Sequence, residues 1–417
     1  MSMWKRILVA VAVVAMAIPA FSAVESVKVG GDIDIYGIKR MNMYPTYYPY
    51  GDEITHLQTN TRVYVQAMLT ENVEAMVRLI NERIWWGSWT EIMPGSDTDI
   101  DLDLAYIKVS DILTPGLVLT VGRQEIQFGE GLVVGSAYVP FDTYPTTLPL
   151  AQDLGKQKAF DAVRIDYTFN QVPLDLTAFG AKIWETLSDN DGNLYGINLG
   201  FKAGDAARIE GYYVTLQDYA VDEDVSTVGI RATGDLAGFA LKGEYAKQFG
   251  EWDGADNEGW ALLLSGQYNF PQSEMAAYIK AQLNLYSGND GDADNTQWIS
   301  FFPSNVASRI GAINYILATT VNPYGLSNAR VINVGGGISP VEKVAVSLDW
   351  FNVSFMEEAG WNDETAVGNE IDAGLTYKYS EDLSFGLQYG VLLLGDAIQD
   401  YFDDDPWQLI ASMKVVF

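Results

Sequence analysis

Segments in which apolar and polar side chains alternate recur along almost the whole chain. Between Leu383 and Leu393 every second residue is apolar or aromatic, and polar or small residues lie between them. A period of two places the two kinds of side chain on opposite faces of a β-strand. The pattern predicts strands over 26–41, 57–70, 73–87, 101–110, 116–128, 159–169, 172–184, 193–202, 206–216, 225–234, 237–248, 259–270, 275–286, 328–338, 343–355, 367–379, 383–394 and 406–417. These ranges give about 18 strands.

The connections between these strands alternate between short and long. Two to five residues separate the strands of most predicted hairpins, as in Ser380-Glu381-Asp382. The long connections are 42–56, 88–100, 129–158, 185–192, 217–224, 249–258, 287–327, 356–366 and 395–405. An even number of strands with short periplasmic turns and long extracellular loops is typical of outer-membrane barrels. The predicted fold is therefore all-β, a transmembrane antiparallel barrel of about 18 strands. A large soluble β-protein is the alternative, and it would have to hide an apolar face on every strand.

The N-terminal region predicts export. Lys5 and Arg6 precede an apolar run from Ile7 to Ile18, which is too short to span a bilayer. Small residues at Ala20 and Ser22 suit a cleavage site, which gives a signal peptide over 1–22 and one barrel domain over 23–417. No later apolar run reaches the length of a membrane-spanning helix.

The last predicted strand ends on an aromatic residue, Phe417. In lipid every backbone polar group must be paired, so we expect this strand to close the barrel against the first strand, near 26–41. The segment Trp407–Phe417 also resembles the C-terminal signal through which the barrel-assembly machinery recognises its clients. We therefore expect that machinery as a partner, together with outer-membrane lipid and lipopolysaccharide.

Composition excludes several classes of function. The chain carries a formal net charge of −30, which argues against nucleic acid as a partner. It contains no cysteine and one histidine, His56, so thiolate metal sites and two-histidine sites are excluded. Nothing in the sequence marks a serine or aspartate partner for His56, and we predict no enzymatic activity and no resident cofactor.

Most of the excess negative charge falls in the long loops, and the strands carry charges of both signs. We expect the strand residues to line the pore, where a mixed-sign wall would orient solutes between acids and bases. The candidates for pore-lining residues are Arg62, Arg78, Arg123, Arg164, Arg208, Arg231, Lys242, Glu244, Lys280, Glu370, Asp372 and Lys378. The alternative is purely structural pairing across strands. Arg123 has the parity of Leu119 and Val121, so it points inward only if its strand carries a bulge.

Two acidic loop clusters have the composition of calcium ligands. Calcium prefers six to eight oxygen ligands, which closely spaced aspartates and asparagines supply. The candidate ligands are Asp189, Asp191, Asp290, Asp292 and Asp294. Neither cluster has the distal glutamate of an EF-hand, and plain Asp/Asn/Gly turns are the alternative.

Two loops are longer than a connection requires. The loop over 129–158 is poor in charge, and the segment 296–318 is apolar enough to need burial. The hypothesis is that one or both fold into the barrel and narrow it, with a short helix around 304–318. The alternative is that 296–318 caps the outer rim or packs on a neighbour.

One stretch resembles a known family. A strand carrying Ala105-Tyr106 is followed by Gly122-Arg123-Gln124, by Phe128-Gly129-Glu130-Gly131-Leu132-Val133 and, after a long loop, by Phe160-Asp161-Ala162-Val163-Arg164. This order is similar to the alginate-export family of outer-membrane porins, and the resemblance covers about 65 residues. It implies an 18-stranded barrel that exports a polyuronate through a basic lumen or takes up other solutes. The acidic loops here depart from the exporter pattern.

These observations predict a porin in the outer membrane of a diderm bacterium. The favoured function is passive diffusion of small hydrophilic solutes, neutral or cationic, including sugars and oligosaccharides, because an anionic mouth repels polyanions. One alternative is export of an alginate-like polysaccharide. The other is a structural or adhesive barrel that binds calcium or a partner through its acidic loops.

Overall fold

The protein forms one closed antiparallel β-barrel. The computed structural model describes residues 24–43, 53–85, 100–135, 154–185, 191–204, 206–219, 223–252, 254–289, 291, 295–304, 326–358 and 364–417. The strands are β1 (Ser26–Met41), β2 (Glu53–Thr70), β3 (Val73–Ile84), β4 (Asp101–Ser110), β5 (Leu117–Glu125), β6 (Ala159–Thr168), β7 (Leu174–Trp184), β8 (Gly192–Ala203), β9 (Ala207–Asp218), β10 (Glu223–Leu236), β11 (Phe239–Trp252), β12 (Ala255–Asp256), β13 (Trp260–Asn269), β14 (Tyr278–Tyr286), β15 (Ala329–Val341), β16 (Val344–Ser354), β17 (Ala366–Lys378), β18 (Leu383–Leu394) and β19 (Trp407–Val416).

Eighteen of these strands build the wall, and β12 is a two-residue strand that pairs only with the end of β11. Each wall strand pairs with its neighbours in the chain, and the last strand closes the circle on the first. Asp32 of β1 lies opposite Val416 of β19, and Met41 lies opposite Trp407. Closure leaves no sheet edge with unpaired backbone groups, which a lipid environment requires. The predicted closing role of the C-terminal strand is confirmed.

The predicted strands and the observed strands agree closely. The predictions for β1, β4 and β18 have the observed bounds, and most other strands differ by one to four residues at an end. The short two-stranded extension between β11 and β12 was not predicted, because two residues are too few to show a period. The connections at one end are mostly shorter than those at the other, but the four residues between β9 and β10 are fewer than the eight between β13 and β14. The ends of the barrel are called below the short-turn end and the long-loop end.

Alternation along each strand gives the wall two different faces. The outward positions carry large apolar side chains that are exposed in the isolated chain, among them Val228, Ile230, Leu264, Leu348 and Trp350. The inward positions carry polar, charged or small residues. An apolar band outside and a polar face inside is the arrangement of outer-membrane barrels.

The hydrophobic core lies inside the barrel towards the long-loop end. It joins inward side chains of the wall, such as Phe179 and Tyr212, to residues 126–134 and 298–302 of two long loops. Phe128 packs edge-on against Phe179 with ring centroids 5.3 Å apart. These loops fill space that a barrel of this width would otherwise leave to water.

Candidate functional site: the lumen and its inner loops

A continuous series of ion pairs runs along the inner wall from β7 to β11. Arg208 on β9 binds Asp175 on β7 at 2.5 Å and Glu210 at 3.2 Å. Arg231 on β10 also binds Glu210. Each of these bases therefore contacts at least one carboxylate, and the positive charge of this wall is neutralised locally.

The same series continues into the loop that follows β5. Glu130 in this loop accepts hydrogen bonds from Nε of Arg231 at 2.8 Å and from Nζ of Lys242 at 3.0 Å. The backbone N–H of Glu130 donates to Glu244 on β11 at 2.6 Å. In wall order β11 is six strands away from β5. Residues 126–135, called below the inner loop, therefore reach across the inside of the barrel.

Glycine makes the docking of the inner loop possible. Gly129 and Gly131 flank Glu130 and have φ of +58° and +77°, a region that side chains disfavour. A Cβ on Gly129 would lie 2.3 Å from Oε1 of Glu244. The Gly-Glu-Gly sequence thus lets the loop backbone contact the Glu244 carboxylate. It also places the Glu130 carboxylate against Arg231 and Lys242.

The electrostatics of Glu130 follow from these contacts. Burial raises the pKa of this carboxyl, but the hydrogen bonds from Arg231 and Lys242 outweigh it and hold the pKa below the ordinary 4.5. Glu130 is therefore a carboxylate at neutral pH, and its charge holds the loop to the wall.

A second loop segment packs on the inner loop. Val134 forms a β-bridge with Phe302, and the N–H of Phe302 donates to the carbonyl of Val133 at 3.1 Å. The side chain of Gln248 on β11 donates to the carbonyl of Ile299 at 2.7 Å and accepts from its N–H at 2.9 Å. Residues 126–134 and 298–302 of the two long loops therefore lie inside the barrel. The helix expected around 304–318 falls almost wholly outside the described residues.

The returning leg of the loop after β5 docks on the opposite wall. Nζ of Lys156 lies 2.7 Å from Asp34 on β1 and also binds Asp32. Leu154 packs against a small apolar cluster of Tyr36, Ile38 and Ile410. The loop is thus held at two places, one on β7–β11 and one on β1 and β19.

Two polar cavities remain beside the inner loop. One of about 370 Å³ lies between the loop and β11–β14 and is lined by residues including Gln127, Lys158, Lys242 and Gln282. The other, of about 450 Å³, lies between Gln127 and β6–β9. Both are lined by charged and amide side chains, as a path for a hydrated solute requires.

Three further predicted residues on inward positions have carboxylate partners. Arg62 binds Asp32 at 2.9 Å, Arg78 binds Asp103 and Glu125, and Arg164 binds Asp166 at 2.7 Å. Lys378 takes an inward position near the short-turn end, opposite Ser384. With Arg208, Arg231, Lys242 and Glu244 described above, eight of the twelve predicted residues are placed on the inner face.

Lys280, Glu370 and Asp372 belong to the wall between β14 and β17. Nζ of Lys280 lies 2.7 Å from Asp349, which is two strands away on β16. The inward position between them is Gly335, and a Cβ there would lie 2.0 Å from Asp349 Oδ1. Asp349 lies directly opposite Asp372 in the register, and Glu370 and Asp372 are both buried.

The prediction that Arg123 lines the pore is wrong. Arg123 lies opposite Ala105 and Asp161, and the registers of β5 with β4 and β6 show no shift. Arg123 therefore shares the outward face of Val121, and Nη1 donates to Asp161 at 2.9 Å on that face. The bulge that an inward position required is absent from these two registers, so Arg123 does not line the lumen.

Of the five predicted calcium ligands, Asp191 is described and binds Lys182 at 2.6 Å. Asp189, Asp290, Asp292 and Asp294 lie outside the described residues. Calcium binding stays a prediction.

Sequence reasoning missed Glu130 and Lys156, which were treated as loop residues, and Asp103 and Asp349 as ion-pair partners. The signal for Glu130 was present in its flanking glycines. The partners of Lys156 and Lys280 are set by the register of distant strands, which single segments do not reveal.

Comparison with solved structures identifies the same architecture. The barrel is similar to OccK9 (OpdG) of Pseudomonas aeruginosa, with a TM-score of 0.62 and 10% identity over 95% of this chain and 100% of that one. It is also similar to OprD of Pseudomonas aeruginosa, with a TM-score of 0.61 and 11% identity over 94% of this chain and 96% of that one. A third similar structure is OccAB4 of Acinetobacter baumannii, with a TM-score of 0.59 and 10% identity over 94% of this chain and 99% of that one. At these identities the likeness shows the fold.

No curated protein matches the sequence. Among the described residues, no helix has the length and apolar character needed to cross a membrane. The closed barrel with its apolar outer band belongs in an outer membrane. The family model described as Alginate export matches residues 48–405, which is most of the chain, and the protein is therefore a member of the alginate export family.

Proposed function

We propose that the protein is an outer-membrane porin for passive diffusion of small hydrophilic solutes, neutral or cationic, including sugars and oligosaccharides. The pairing of the lumen bases carries this proposal. Arg62, Arg164, Arg208, Arg231, Lys242 and Lys280 each contact a carboxylate within 4.0 Å. A polyanion that passes along this wall would have to displace a carboxylate from each base. Because one ion pair only replaces another, the polyanion gains little net attraction.

The charge outside the wall supports the same solute class. The chain has 55 acidic and 25 basic residues, and the ion pairs of the inner wall nearly balance. The excess of acids therefore falls in the loops at the long-loop end. An acidic mouth raises the local concentration of cations and lowers that of anions.

The polar cavities beside the inner loop support diffusion of small solutes. Volumes of about 370 and 450 Å³ suit a molecule of the size of one sugar ring with its water. We propose no catalytic role, because the chain has one histidine, His56, and no cysteine, and a solved structure of the same fold is named as the outer membrane protein OprD.

Family membership favours a second function, export of an alginate-like polysaccharide. The two functions differ in the sign of the solute. A polyuronate needs a run of available cations, whereas neutral sugars need only amide, hydroxyl and ion-pair groups along the path.

Liposome swelling separates the two. Proteoliposomes with the full-length protein would be diluted into isosmotic solutions of a neutral disaccharide, a cationic amino acid, a neutral amino acid or a uronate. We expect swelling with the neutral and cationic solutes and at least several-fold slower swelling with the uronate. Faster entry of the uronate would favour the export function, and no swelling with any solute would favour a structural or adhesive barrel.

Two partner proposals and one ligand proposal accompany the function. The C-terminal strand ending at Phe417 would be recognised by the barrel-assembly machinery, and the outer surface would contact lipopolysaccharide. Calcium in the acidic loops is tested by calorimetric titration of the purified barrel, with Asp189→Asn and Asp290→Asn variants. An isotherm that both variants leave unchanged would remove these loops as the calcium site.

A further inference from the structure

Six basic residues face outward from the described wall strands, and all of them lie near the long-loop end. Five lie within the last six residues of a strand that runs toward that end, and Arg330 is the second residue of a strand that starts there. The six residues are Lys39 on β1, Arg83 on β3, Arg123 on β5, Lys182 on β7, Lys247 on β11 and Arg330 on β15. They are called below the basic collar.

The strand register and the alternation of side chains along each strand show that the collar residues point outward. Arg83 lies opposite Thr59 and alternates with inward Glu82, on the face of exposed Leu79. Arg330 is exposed and adjoins Val331, which is buried inside the barrel. Arg123 on β5 and Lys182 on β7 both lie directly opposite Asp161 of β6, one on each side of it, so the three side chains share the outward face.

The short-turn end has no such bases on its outward face in the described strands. The lysines there, Lys28, Lys108, Lys202 and Lys378, take inward positions. The outward positions at that end carry apolar or aromatic residues, such as Tyr377 and Phe385, whose rings stack. The outward-facing bases of the described strands therefore all lie at one rim of the barrel.

Within the part of the chain that the structure describes, four collar residues bind a carboxylate and two do not. Lys39 binds Glu53 at 2.8 Å, and Lys247 binds Glu258 at 3.5 Å. Arg123 and Lys182 bind Asp161 and Asp191, as described above. Arg83 and Arg330 are both exposed, and neither has a carboxylate within 4.0 Å among the residues that the structure describes.

The cost of placing a charge in lipid explains why the collar residues avoid the middle of the barrel. It does not explain why they all lie at the same end. A lysine or arginine on the lipid face costs about 2–4 kcal/mol at the bilayer midplane and about 0–1 kcal/mol near the interface. That cost falls equally at both ends of the barrel. A preference for one end therefore requires a difference between the two leaflets, and bases are attracted to the leaflet whose headgroups are anionic.

We propose that the basic collar binds the phosphate groups of a phosphorylated glycolipid, of the lipopolysaccharide type, in the leaflet at the long-loop end. Arg83 and Arg330, which have no carboxylate partner among the described residues, supply guanidinium groups for a phosphate, and a guanidinium group binds two phosphate oxygens at once. At the other four collar positions the base neutralises its carboxylate partner, so these positions do not repel the same headgroups. This lipid contact is separate from the passage of solute through the lumen.

Lipid binding by the full-length barrel in detergent tests this proposal. The lipid probes are phosphorylated lipopolysaccharide, the same preparation after dephosphorylation, and a zwitterionic phospholipid. The variants are Arg83→Gln with Arg330→Gln, and the matched control is Lys108→Gln with Lys202→Gln, which removes two charges from the inner face. Binding is measured by native mass spectrometry and by titration, on barrels that show the heat-modifiable migration of the folded state.

We expect the wild type and the control to prefer the phosphorylated lipid, and the collar variant to bind it at least about tenfold more weakly. Equal binding of the dephosphorylated lipid, or equal loss in the control, would overturn the proposal. Should the double variant fail to fold, Arg330→Gln alone is tested, with a severalfold loss expected. Conductance of the collar variant should equal that of the wild type, so that failure of the collar and failure of the channel are told apart.

Discussion

Glu130, on the loop after β5, accepts a hydrogen bond from Nε of Arg231 on β10 at 2.8 Å. The loop would have to leave the wall for this contact to break, and Lys242 holds the same carboxylate at 3.0 Å. Hydrogen bonds to charged groups contribute about 1.5–3 kcal/mol each. The Glu130 carboxylate therefore holds the inner loop to the wall, together with the packing of Phe128 on Phe179 and the hydrogen bond from the Glu130 N–H to Glu244.

Replacing that carboxylate should release the loop. We expect Glu130→Gln to raise the undocked fraction by roughly tenfold or more, since charged hydrogen bonds become neutral ones. Single-channel recordings should then show a larger mean conductance and more frequent transitions. Glu381→Gln, in an exposed turn at the short-turn end, is the control and should leave the conductance unchanged. A conductance of Glu130→Gln equal to the wild type would mean that the inner loop does not limit the pore.

Acid should have the same effect as this substitution. The docked loop holds the pKa of Glu130 below the ordinary 4.5, so docking is favoured by this group above about pH 4.5 and loses that contribution as the pH falls through the lower, docked pKa. Conductance should therefore rise as the pH falls through the docked pKa, which lies below 4.5. In Glu130→Gln the rise should be smaller, and an identical pH profile in the variant would exclude Glu130 as the titrating group.

The pair of Lys280 and Asp349 should influence which ions pass. The two groups lie 2.7 Å apart on the inner wall, and removing one leaves the charge of the other. Lys280→Gln should therefore shift the reversal potential toward cation preference, and Asp349→Asn should shift it toward anions. Shifts of the same sign in the two variants would show that neither charge acts on the permeating ion.

Gly335 should be required for that pair to form. A Cβ on Gly335 would lie 2.0 Å from Asp349 Oδ1 and 2.9 Å from a backbone carbonyl oxygen, so Gly335→Ala should cost about 1–3 kcal/mol of unfolding free energy. Gly211→Ala is a matched control, because a Cβ on Gly211 meets nothing within 4 Å. Urea unfolding in lipid vesicles measures both. Equal stabilities would show that the wall adjusts freely around Gly335.

The sequence predicted the wall better than the contents of the lumen. Period-two alternation is a local signal, so the bounds of β1, β4 and β18 were predicted as observed. The outward position of Arg123 was visible in its parity, and the mistake lay in assuming a bulge. The contacts of Glu130 and Lys156 depend on which wall strands the loop reaches inside the barrel, and that of Lys280 depends on the register of β14, β15 and β16. None of this information is contained in any one segment.

The direction of ion preference tests the central claim most directly. The account describes an inner wall of nearly balanced ion pairs below an acidic mouth, in a chain of net charge −30. In a planar bilayer with a KCl gradient, the reversal potential should have the sign of cation preference, and raising the salt should weaken it as the mouth is screened. A reversal potential with the sign of anion preference, or no conductance at all, would contradict the account.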